Sequence, residues 1–77
     1  MSTFNLLHVQ VGSTIRIHSF EGGKPLATKL RQYGLFLGDL AQVLRLAPLG
    51  GPMLLQVNGR EIALGRRIAA KIIVEEL

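Results

Sequence analysis

Residues 47–64 read APLGGPMLLQVNGREIAL, and the Asn-Gly step inside them decides the fold. A type I′ turn needs positive φ at both central residues, and Asn58-Gly59 is the pair that adopts it most readily. The step therefore predicts a hairpin, with strands from Met53 to Val57 and from Arg60 to Leu64. Ile62 and Leu64 fall on one face of the returning strand. Ahead of the hairpin, Ala47, Pro48, Leu49, Gly50, Gly51 and Pro52 make an apolar connection. Two readings of it stand open. As a plain rigid link, its prolines cut the entropy of the unfolded chain and its glycines permit unusual φ. As a contact surface, it presents Leu49 at an exposed tip for insertion into a partner's pocket, which a preordered loop does with little ordering cost.

The pattern extends outward from this hairpin. "TIRIHSF" (14–20) alternates, with Ile15 and Ile17 on one face and Arg16 and His18 on the other, as in a half-buried strand. "EGGKPLATKLRQYG" (21–34) changes period. Pro25 suits a first helical position, and Leu26, Leu30 and Tyr33 form one apolar stripe. Lys29 and Arg31 lie toward the negative end of the dipole, and Gly34 is a natural stop. A helix of two to three turns is too short to stand alone, so its stripe must pack on a sheet. "YGLFLG" (33–38) reads as mostly core, with Phe36 its exposed member. From Leu40 to Leu46 both parities are apolar except Gln42 and Arg45, which predicts a strand covered on both sides. "GRRIAAK" (65–71) predicts a short helical turn and "IIVEE" (72–76) a closing strand. "FNLLHV" (4–9) is either a short helical turn or an apolar lead-in, and Leu6 and Leu7 anchor the first strand. The result is one mainly β domain over residues 1–77, with about five strands, one inserted helix and a helical turn before the last strand. Closure into a small barrel is expected, because it removes free sheet edges.

Composition narrows the function. A chain of 77 residues buries only about 60% of its unfolded surface, so its stability is modest. Without cysteine it has neither a disulfide nor a thiolate metal site. Hydrophobic residues make up 48% and charged residues 18%, so some apolar area must face water and invites a partner or self-association. The longest charge-free stretches, 1–15 and 46–59, fall short of the ~20 apolar residues of a spanning helix, and the second contains Pro48 and Pro52. No secretory signal pattern opens the chain. The net charge of +4 permits an acidic or nucleic-acid partner, but the basic residues are scattered and only Arg66-Arg67 are adjacent.

Chemistry of the catalytic kind has no convergent residues. Glu21, Asp39, Glu61, Glu75 and Glu76 form no pair with an obvious common face, and Ser13 and Ser19 have no identifiable base. His8 and His18 fall on different elements, and His18 reads as an ordinary surface histidine before a metal ligand. Neither "EGGKP" nor "APLGGP" fits a phosphate-binding fingerprint. Nucleic-acid binding by a small barrel wants aromatics interleaved with basic residues, and Phe4, Phe20, Tyr33 and Phe36 sit in no such run. The expectation is no enzyme, no cofactor and no metal site.

Gly12, Gly22-Gly23, Leu30, Gly34-Leu35, Gly38, the "R-x-A-P-L-G-G-P" stretch from Arg45 to Pro52, "I-A-L" (62–64) and "I-x-V" (72–74) follow in an order and spacing that resembles the FeoA family. These are small cytoplasmic proteins of bacterial ferrous iron uptake. The resemblance runs from about Leu7 to Val74. It departs at Leu37, where proline is common in the family, and at Gly65, where a basic residue is. It implies an SH3-like β-barrel with an inserted helix, a fold similar to the C-terminal domain of metal-dependent repressors of the diphtheria-toxin-repressor type. These residues hold no helix-turn-helix pattern, so an accessory factor is expected and not a complete repressor. It also implies a partner: FeoB, a membrane permease with a cytoplasmic GTP-binding domain, to which the protein would be recruited at the inner face of the membrane. The expected contact set is Ala47, Pro48, Leu49, Gly50, Gly51 and Pro52 with Phe36 and Arg45. A small nucleic-acid-binding barrel is the alternative and predicts steeply salt-dependent affinity. Self-association through the same apolar surface is a third possibility.

Overall fold

The computed structural model describes residues 2–77. Six strands form one antiparallel sheet: β1 (Thr3–Asn5), β2 (Thr14–Phe20), β3 (Leu40–Leu46), β4 (Met53–Val57), β5 (Arg60–Leu64) and β6 (Ile72–Glu76). Their order across the sheet is β1-β6-β2-β3-β4-β5. Helix α1 (Gly23–Tyr33) joins β2 to β3, and the single turn α2 (Arg66–Ala69) precedes β6.

The Asn-Gly hairpin forms as expected. Asn58 and Gly59 take φ of 52° and 78°, and Val57 pairs with Arg60 across them. The five strands expected from the sequence are β2 to β6. The sixth, β1, comes out of the ambiguous "FNLLHV". Asn5 accepts a hydrogen bond from the Leu7 N–H at 3.0 Å and donates through its side chain to the Ala70 carbonyl. It thereby ends β1 and starts a 3₁₀ turn, Leu6–His8, that buries Leu6 completely.

Closure of the sheet is one expectation that the structure does not meet. The pairing is open, with β1 and β5 as its ends. Closure would need these two to pair, and β1 stops after three residues because Asn5 turns the chain into the 3₁₀ turn. Short edges limit the unpaired backbone that a second chain could template on.

Helix α1 starts two residues earlier than Pro25, with Gly22 as its N-cap at φ 133°. Pro25 stands at the third position, where a missing N–H is still harmless because the first four have no intrahelical acceptor. The end is a Schellman motif. Gly34 at φ 86° bonds back to Arg31 and the Leu35 N–H reaches the Leu30 carbonyl at 2.9 Å. Leu30 and Leu35, the side chains that meet in such a motif, are both fully buried.

Strand β3 is not covered on both faces. Ala41 and Val43 point inward while Leu40 is about half exposed. The apolar residues of both parities have another cause. Val43 pairs with Leu55 and Arg45 with Leu54, so Leu44 is an extra residue in a bulge. A bulge flips the side-chain alternation downstream of it. Arg45 therefore faces water, and Leu46 packs at the edge of the core. That core runs from Leu6 through Ile15, Ile17, Leu30, Val43, Leu55 and Leu64 to Val74, and no polar or charged side chain among the described residues is buried.

Candidate protein-docking surface

The bulge at Leu44 delivers β3 into residues 47–52. The Ala47 N–H donates to the Pro52 carbonyl at 3.0 Å, and the Gly51 N–H to the Pro48 carbonyl at 3.1 Å. Pro48 to Gly51 is thus a β-turn whose central residues, Leu49 and Gly50, both have positive φ, 59° and 76°. Leu49 is completely exposed, at 103% of its reference area. Gly51 tolerates no side chain, since a Cβ there would lie 2.7 Å from Ala47 Cβ.

A second element holds this turn. Arg66, the first residue of α2, donates from Nε to the Gly51 carbonyl at 3.0 Å and from Nη2 to the Ala47 carbonyl at 2.8 Å. One guanidinium thereby joins both legs of the loop, a task its fork geometry suits. Sequence reasoning missed this clamp. Its only trace was the Arg66-Arg67 pair, and nothing local indicates carbonyls 15 and 19 residues away.

The expected contact residues do not all come together. Arg45 stands exposed at the foot of the loop, opposite Leu54. Phe36, 47% exposed, lies beyond the other end of β3, where its N–H donates to Asp39 Oδ2 at 3.0 Å. A seven-residue strand is ~23 Å long, so Phe36 belongs to a separate surface. It lies with Leu37, Leu35, Phe20, Ala27 and Arg31 around an open pocket of about 400 Å³.

The remaining polar groups are dispersed. His18 Nδ1 lies 3.1 Å from Glu75 Oε1, the one ion-pair contact among the described residues. No cluster of three or more His, Cys, Asp or Glu side chains able to hold a metal occurs among the described residues. No helix there is long and apolar enough to cross a membrane.

A model of the FeoA domain matches residues 4–76. The chain belongs to the FeoA family. That family is associated with ferrous iron uptake. No curated protein matches the chain. Among solved structures, a crystal structure of an iron uptake regulatory protein (FeoA) is 27% identical, with a TM-score of 0.88 and complete coverage of both chains. The solution structure of iron(II) transport protein A from Clostridium thermocellum is 31% identical at a TM-score of 0.87. The match covers 96% of this chain and 46% of that protein. A manganese-dependent transcriptional repressor in complex with manganese shares the fold at a TM-score of 0.89. It is 21% identical, and the match covers 97% of this chain and 37% of the repressor.

Proposed function

We propose that this FeoA-family chain is a non-catalytic docking module for ferrous iron transport. It works in the cytoplasm, recruited to the inner face of the membrane, and binds the cytoplasmic GTP-binding part of the permease FeoB through residues 47–52. Docking would bias the conformation or GTP cycle of that domain. The observation that carries the reading is Leu49. A bulky residue with positive φ is an outlier of the kind that collects at functional sites, at ~1–3 kcal/mol of strain. The side chain recovers none of this within the chain, because it is fully exposed. Preorganisation by Pro48, Pro52 and the Arg66 clamp reduces the entropy lost on docking. Arg45 at the foot of the loop would meet an acidic group of the partner, and Phe36 a second contact beyond the other end of β3.

Retention of the chain on the immobilised soluble domain of FeoB tests the proposal. Burying one leucine side chain contributes roughly 1.5–3 kcal/mol, so Leu49→Asp should weaken binding at least about tenfold. Equal retention of the Leu49→Asp and parent chains would remove the loop from the account.

A further inference from the structure

We propose that the pocket beside α1 is a second docking site, independent of the 47–52 loop. Its occupant is a segment of another protein that presents a Leu- or Phe-sized side chain flanked by Asp or Glu. The pocket measures about 400 Å³, within the ~300–1,000 Å³ range of ligand sites. Its floor and walls are Phe20, Ala27, Leu35, Phe36 and Leu37, and its one charged lining residue is Arg31. Phe36 is 47% and Leu37 61% exposed, so the apolar rim meets water in the free chain.

Charge fixes the class of occupant. Arg31 makes no ion pair among the described residues; its Nη2 rests 3.4 Å from Thr28 Oγ1, one turn back on the helix. Lys24 shares that helix face two turns earlier, ~10 Å along the axis, and it too has no acidic partner among the described residues. No acidic residue lines the pocket. Asp39, on the α1–β3 connection, accepts the Phe36 N–H but does not line the pocket. An apolar group with a carboxylate beside it therefore fills the cavity and pairs the free guanidinium, whereas a cationic segment meets repulsion at the rim. A second copy of this chain fits less well through its own protruding leucine. Residues 46–59 carry no charge, so Leu49 of another copy would fill the hollow and leave Arg31 unpaired.

Two octapeptides serve as probes: one carries leucine between two glutamates, the other leucine between two lysines. Amide chemical-shift mapping on the whole chain reads where each binds. The glutamate peptide should shift Ala27, Arg31, Leu35 and Phe36 saturably and leave Leu49 and Gly50 unmoved. The lysine peptide should bind about threefold to fivefold more weakly, as expected for an exposed charge contact. Arg31→Glu should reverse that order, and Leu49→Asp should leave both affinities unchanged, which separates this site from the loop proposal. Equal affinities for the two peptides, no reversal in Arg31→Glu, shifts confined to residues 47–52, or no saturable shift at all would each overturn the assignment. So would a concentration-dependent dimer of the chain alone whose interface covers Phe36 and Leu37.

Discussion

Leu49 and Asn58 are the two non-glycine residues with positive φ among the described residues, and both sit in turns with a glycine after them. Their chemistry differs. Asparagine tolerates the left-handed region through its short polar side chain, whereas leucine does not. Asn58 is therefore a choice that the hairpin explains, and Leu49 is one that the fold leaves unexplained. Leu49→Asn separates the two roles. Relief of strain should leave stability unchanged or raise it by up to about 1 kcal/mol, seen as an equal or higher urea midpoint, while retention on the FeoB domain falls. A lowered midpoint would instead mean that leucine at this tip supports the fold, and the functional reading of its backbone strain would lose its basis.

The loop is held by its own turn hydrogen bonds and by α2, which grips both of its legs. Arg66→Ala removes two charge-assisted hydrogen bonds to carbonyls of Gly51 and Ala47. At this half-buried site the expected loss is about 1–2 kcal/mol, together with increased fast amide motion at residues 47–52 in ¹⁵N relaxation. Arg66→Lys should restore rigidity only in part, because a single ammonium lacks the fork that spans both legs. An Arg66→Ala loop as rigid as the parent would show that the prolines alone order it. The same comparison of near and far explains what could be read from the sequence. The helix end at Gly34, the Asn-Gly turn and the alternation of β2 rest on residues adjacent in the chain, and all three were legible. The tip at Leu49 was legible as an exposed apolar feature. The bulge at Leu44 was not, because an extra residue leaves no mark except apolar residues of both parities, which a doubly covered strand also predicts. Strand β1 and the Arg66 clamp depend on partners far away in sequence, at Glu75 and Ala47. The separation of Phe36 from the loop follows from β3 lying between them, and composition carries no such distance.

Across the whole molecule the core and the display surfaces are separate populations of residues. Leu30, Leu55 and Leu64 are fully buried, while Leu37, Leu40 and Leu49 face water. With no disulfide and a sheet whose pairing stays open, stability rests on that core and on α1 covering it. A domain of 77 residues holds roughly 4–12 kcal/mol in total. Leu30 serves α1 twice, through a fully buried side chain and through a carbonyl that closes the Schellman motif. Leu30→Ala keeps the carbonyl and removes only the packing, at about 2–5 kcal/mol for a leucine cavity. That is a large share of the whole, so the urea midpoint should fall steeply with little change in slope. Leu49→Asp, by contrast, should leave the midpoint near that of the parent, since a fully exposed side chain contributes no burial. If the two substitutions destabilised the chain equally, Leu49 would belong to the packing of the domain, and binding losses at the loop would report unfolding and not docking.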